Sequence, residues 1–100
     1  MRFIYIQNYL TTSRETKLEF LSHIGKQTTF RVINQKIILN DNSLILELEE
    51  DSNIEFAKQY IEDFFDKYRN IDIKKVNNII QDKTQIILDF DDKKKKKVLL

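Results

Sequence analysis

Ser52-Asn53-Ile54-Glu55-Phe56-Ala57-Lys58-Gln59-Tyr60-Ile61-Glu62-Asp63-Phe64-Phe65-Asp66-Lys67-Tyr68-Arg69 carries the clearest periodicity in the chain. At 100° per residue, Ile54, Ala57, Ile61, Phe64, Phe65 and Tyr68 fall in one stripe about 100° wide, the width an amphipathic helix buries. Ser52 and Glu55 stand three residues apart, the spacing of a capping box. The pattern predicts a helix over 53–69. Glu55, Gln59, Glu62 and Asp66 form an acidic flank. Phe56, Tyr60 and Lys67 lie on the opposite flank, where Asp63 also points.

Strand signals surround this helix. Upstream, Leu44, Leu46 and Leu48 share one face of a strand over Ser43–Glu49, with Ile45, Glu47 and Glu49 on the other. Its partner, Lys36–Leu39, lies across Asn40-Asp41-Asn42, residue types that tolerate the positive φ of a tight turn. Thr28–Ile33 reads as a further short strand. Downstream, Val76–Ile80 and Thr84–Phe90 flank a turn at Gln81-Asp82-Lys83. At the start, aromatic and β-branched residues make Arg2–Tyr9 a strand, with Phe3, Tyr5 and Tyr9 on one side and Ile4 and Ile6 on the other.

Thr12-Ser13-Arg14-Glu15 is another capping box, opening a helix over 13–24 with Leu18, Phe20, Leu21 and Ile24 as its apolar side. Gly25, the one glycine, falls where such a helix uses a left-handed terminal residue. The resulting order, β-α-β-β-β-α-β-β, is that of a single small α+β domain over 1–90. Both helices belong on one face of a largely antiparallel sheet. Residues 91–100 form a basic tail, expected to be mobile when free.

Composition excludes several kinds of chemistry. With 100 residues, 41% of them hydrophobic, there is material for one core. Absence of cysteine removes disulfides, thiolate metal sites and cysteine nucleophiles, and a single histidine removes multi-histidine metal sites. One glycine and no proline leave no glycine-rich phosphate loop. No apolar run approaches the roughly 20 residues that span a bilayer. The N-terminal stretch is too short and too polar for a secretory signal, so a reducing, intracellular compartment is expected. Isoleucine (15), lysine (13) and asparagine (8) are abundant beside a single alanine. AT-rich coding produces that skew, so a lysine here is not by itself a sign of function.

Charge is segregated beneath a net +1. Residues 1–40 carry +4, residues 41–66 carry −8 and residues 67–100 carry +5. Asymmetry of this kind bears on partners more than the total does. No catalytic constellation emerges. His23, near the end of the first helix, suits an interaction with that helix's terminal carbonyls. Glu47, Glu49, Glu50 and Asp51 run from a strand into a capped helix and do not form an oxygen-rich metal loop. Among the helix aromatics, Phe56 and Tyr60 alone lie at the edge of the core stripe, where a base could stack. The lysines at 93–97 fit either a solvated tail or a row of phosphate contacts, and no lipidation signal accompanies them for a membrane role.

Phe56-Ala57-Lys58-Gln59-Tyr60-Ile61, followed by Lys67-Tyr68, resembles the long basic helix of the eukaryotic large-subunit ribosomal protein 22 family (22e). That helix reads Phe-Ser-Lys-Arg-Tyr-Leu and then Lys-Lys-Tyr, with ungapped spacing between the tyrosines. Ile73-Lys74-Lys75-Val76-Asn77-Asn78-Ile79-Ile80 is similar to the family's Leu-Arg-Asp-Trp-Leu-Arg-Val-Val. Ile86-Ile87-Leu88-Asp89-Phe90 stands where the family has Glu-Leu-Arg-Tyr-Phe. Arg2–Ile6, Phe20-Leu21 and the 36–46 hairpin agree in order with its first half. Identities over 2–90 are sparse, and the helix departs from the family at Gln59, Glu62 and Asp66. The family's acidic C-terminal tail is replaced by lysines.

The resemblance implies a structural constituent of the large ribosomal subunit. It would act in the cytoplasm after assembly in the nucleolus, with ribosomal RNA and neighbouring ribosomal proteins as partners. It implies no enzyme activity, no cofactor, no small-molecule substrate and no membrane. Lys58 and Lys67 match basic family positions, and Lys74 matches the arginine of the following segment. Arg69 and Lys75 are added as charged neighbours, and Arg31 and Lys36 from the basic first half. Each would touch phosphate, which positions RNA without reading its sequence. The competing expectation is a protein-binding module or inhibitor whose acidic 41–66 segment mimics nucleic-acid charge.

Overall fold

In a computed structural model, described here for residues 2–81 and 86–90, the chain forms five strands and two α-helices. In order these are β1 (Arg2–Ile6), α1 (Arg14–Gly25), β2 (Val32–Ile38), β3 (Ser43–Leu48), α2 (Ile54–Phe64), β4 (Ile73–Gln81) and β5 (Ile86–Phe90). The strands make one sheet in the order β2-β3-β1-β4-β5, with every neighbouring pair antiparallel. β3 therefore lies between β1 and β2, the split β-α-β connectivity, and β5 extends the far edge. The small α+β domain with an antiparallel sheet is borne out. The tail at 91–100, and the part of the last hairpin at 82–85, fall outside the described residues.

Strand alternation sorts the side chains onto two sides. Ile4 and Ile6 lie across from Leu46 and Leu44, and all four join Leu48, Ile73 and the inward residues of both helices in the main core. Phe20 and Ile24 come from α1, Ala57 and Ile61 from α2, so both helices cover the same side of the sheet. Phe20 is fully buried, its ring centroid 5.7 Å from Tyr9, 5.4 Å from Phe64 and 5.0 Å from Phe65. On the far side, Phe3, Tyr5, Ile45 and Val76 form a second, smaller core, packed by Ile38, Ile79, Leu88 and Phe90. Tyr9 parts from Phe3 and Tyr5. β1 ends at Ile6, Asn8 turns the chain with φ 59°, and a 3-10 turn at Tyr9–Thr11 carries the Tyr9 ring to the helix side.

Several boundaries shift for identifiable reasons. The strands expected at 28–33 and 36–39 are one strand, β2, with a bulge between Val32 and Asn34. Its upstream part is instead anchored by Phe30 in the core and by the Arg31 amide donating to Ser52 Oγ at 3.1 Å. Ser52 thus faces the stretch before β2, and Asn53 caps α2, accepting from the Phe56 amide at 3.0 Å. Likewise Thr12 donates to the Tyr9 carbonyl at 2.8 Å, and Ser13 caps α1 by accepting from the Thr16 amide at 3.1 Å. Gly25 is the last helical residue and has no positive φ; Lys26 closes α1 in a right-handed conformation. The left-handed position falls to Asn42, at φ 57° after the Leu39–Asp41 turn. α2 stops at Phe64, and Phe65 and Tyr68 reach the core from a turn.

A polar group closes one end of the smaller core. Tyr5 donates from its hydroxyl to Asp41 Oδ2 at 2.7 Å and accepts from Ser43 Oγ at 3.1 Å. Burial, aided by the Asp41 carboxylate and opposed by the Ser43 bond, pushes the Tyr5 phenol up to about 12; burial alone does the same to Tyr9. Between pH 10 and 12 the unfolded chain has released protons that the folded chain retains. Stability from these groups is thus complete below pH 10 and falls as pH rises towards 12. Urea midpoints measured from pH 9 to pH 12 should decline less steeply for Tyr5→Phe than for the parent. Equal slopes would show that Tyr5 titrates alike in both states.

Candidate nucleic-acid interface

The seven basic residues singled out from sequence do not gather into one patch. Lys58, half-buried on α2, donates to Glu62 Oε2 at 2.7 Å, one helical turn away. Lys75 sits across from Ile4, hence on the helix side of the sheet, and donates to Glu55 Oε2 at 2.6 Å. That bond ties β4 to the first turn of α2. Lys74 points to the other side, across from Tyr5, 3.7 Å from Asp72 and 4.9 Å above the Phe90 ring. Arg31 lies 3.8 Å from Glu49. Lys36, across from Ile45, lines a groove of about 240 Å³ on the far side with Phe3, Asn34 and Glu47.

Lys67 and Arg69 differ from these. Both are exposed, and neither is ion-paired to a carboxylate among the described residues. The Lys67 ammonium lies 5.5 Å from the centroid of the Tyr68 ring. Because α2 ends at Phe64, both cations belong to the turn that follows it. There they line a cleft of about 390 Å³ with Thr11, Thr12, Ser13, Thr16, Tyr68, Asn70 and Ile71. The opposite wall is the start of α1, joined to the turn by Thr16 Oγ1 and the Tyr68 hydroxyl at 3.0 Å.

A second cleft, of about 320 Å³, opens on the other side of Tyr68 and Ile71, which line both. Its polar lining is Gln59, Glu62, Asp63, Asp66 and Asp72. The acidic flank of α2 is thereby extended by Asp72 from beyond the helix. Two clefts of opposite charge share one wall, and Gln59, Glu62 and Asp63 of α2 belong to the negative one.

The remaining candidates have structural partners. Phe56 and Tyr60 stack on each other at 6.2 Å and both meet Phe30, and Gln27 Nε2 donates to the Tyr60 hydroxyl at 3.0 Å. Phe56 keeps 43% of its surface exposed, whereas Tyr60 and Gln27 are half-buried and Phe30 is buried. His23 sets its ring edge-on to Phe64 at 5.5 Å. Among the described residues no group of three or more His, Asp or Glu is placed to hold a metal ion. No helix there is long and apolar enough to cross a membrane.

Sequence reasoning missed the partners Lys67 and Arg69 meet. Thr11-Thr12-Ser13 is visible as a run of hydroxyls, but capping accounted for it, and nothing local links it to residues more than 50 positions away. The chain matches no family model, and comparison with curated proteins and with solved structures finds no match.

Proposed function

We propose that this protein is a non-catalytic RNA-binding constituent of the large ribosomal subunit, holding RNA through its phosphate backbone. The observation that carries the reading is the state of the cations. Arg31, Lys58, Lys74 and Lys75 each face a carboxylate, whereas Lys67 and Arg69 stand together on a cleft with no acid in its lining. Neutralising a phosphate requires a cation not already neutralised. The likeness of Phe56–Ile61 and Lys67-Tyr68 to the 22e helix supports the ribosomal assignment. It is modified in one respect: the grip moves from the side of α2 to the turn beyond it.

The acidic cleft favours a second reading, a surface for a basic protein. A ribosomal protein could use it for a neighbour, and an inhibitor could use it alone. Sucrose-gradient fractionation of native lysate, with the chain located by mass spectrometry, separates these. Co-migration with the large subunit in moderate salt is the expected result. A position at the top of the gradient would overturn the ribosomal reading and leave a free partner of the acidic cleft.

A further inference from the structure

We propose that the cleft between the start of α1 and the 67–71 turn is a built phosphate site, which takes a phosphodiester of RNA; the RNA source rests on the reading above. Thr11 and Thr12 spend their hydroxyl protons on the Asn8 and Tyr9 carbonyls, at 2.7 Å and 2.8 Å. Ser13 donates to Thr16 Oγ1 at 2.9 Å, and Thr16 and Tyr68 share one proton across 3.0 Å. A chain of three hydroxyls with two bonds between them leaves one O–H over, on Thr16 or on Tyr68.

Lys67 and Arg69 add donors and no acceptors. The amide of Thr16 is already taken by Ser13, and the two cations supply the net charge that draws an anion. The cleft is rich in uncommitted donors and lined by no carboxylate. Across Tyr68 and Ile71 the second cleft concentrates four carboxylates, so an anion is favoured on one side of this wall and repelled on the other. At about 390 Å³ the cleft has the size of a small ligand pocket, room for a phosphate and the sugar it joins. Arg69 suits two phosphate oxygens at once, and Lys67 supplies a point charge beside them.

The hydroxyl chain also fixes the site. Tyr68 stands between the two cations in sequence, and its tie to Thr16 holds their backbone against α1. Tyr68→Phe removes the tie and leaves the surplus proton on Thr16.

Amide spectra of the ¹⁵N-labelled chain, titrated separately with inorganic phosphate, adenosine 5′-monophosphate and a short A-form RNA duplex, test the proposal. Phosphate should produce saturable shifts at Thr12–Thr16 and Lys67–Asn70, and the duplex should shift the same amides. Arg69→Gln, an exposed substitution, should weaken both by about tenfold or more. The rest of its spectrum reports that the fold is kept. Tyr68→Phe should weaken phosphate by a smaller factor. If phosphate and the monophosphate shift these amides while the duplex does not, the site stands and its ligand is a small phosphate ester, not RNA. If the duplex binds through other amides and phosphate leaves the cleft silent, the site is refuted and the RNA reading survives. Silence towards all three removes both.

Discussion

Phe20→Ala should lower the folding free energy by about 3–5 kcal/mol, the range for truncating a buried phenylalanine. The ring is fully buried and touches Tyr9, Phe64 and Phe65, so it joins α1 to the 3-10 turn and to the end of α2. Phe64, at the end of α2, and Phe65, in the turn after it, pack edge-on against each other, which limits how far they can close the gap. Domains of this size have about 5–15 kcal/mol in total, and thermal unfolding followed by circular dichroism should show Tm falling by roughly 15–30 °C. Leu18→Ala, on the exposed side of the same helix, is the control and should change stability by no more than about 0.5 kcal/mol. Equal losses from the two variants would mean that α1 does not pack through Phe20.

The second large effect concerns RNA. Lys67→Glu combined with Arg69→Glu should lower affinity for a large-subunit RNA fragment by roughly 50-fold at 0.1 M salt and flatten the salt dependence by about two contacts. Each phosphate contact contributes about 0.9 to the slope of log affinity against log salt, and 0.1 M lies one decade below the molar reference. Lys58→Glu combined with Lys75→Glu should leave that slope unchanged. Those lysines are engaged with Glu62 and Glu55, so reversing them sets acid against acid within the protein and lowers Tm slightly. Filter binding across a salt series checks both. A slope that follows Lys58 and Lys75 would return the RNA grip to the side of α2.

What sequence could convey depended on range. The stripe on α2 was legible because Ile54, Ala57 and Ile61 repeat at one helical period, and the Leu44, Leu46 and Leu48 face because strands alternate. Lys58 and Glu62 were also within reach, being one turn apart. The link between Lys75 and Glu55 was not, since it exists only once β4 lies beside α2. Neither glycine nor proline marks the end of α2. The helix stops because Phe65 is drawn to Phe20 and Tyr68 to Thr16, contacts made across the fold. The cleft lies between the turn after that stop and the start of α1, so Lys67 and Arg69 could be recognised as cations but not as one wall of a site. Caps slipped by one residue for a related reason: Ser52 and Thr12 have the right chemistry, but their hydroxyls are turned to tertiary and turn partners.

β1 is bordered on one edge by β3 and on the other by β4. Its partners in β4, Ile73–Val76, are made some 70 residues after it. At about 5–20 residues per second, that interval is roughly 4–14 s. During it Phe3, Ile4, Tyr5 and Ile6, apolar on both sides, have at most one bonded edge. Pairings this distant also slow folding, since the loop must close before any contact rewards it. The growing chain therefore holds an adhesive segment with an open edge until β4 has been made.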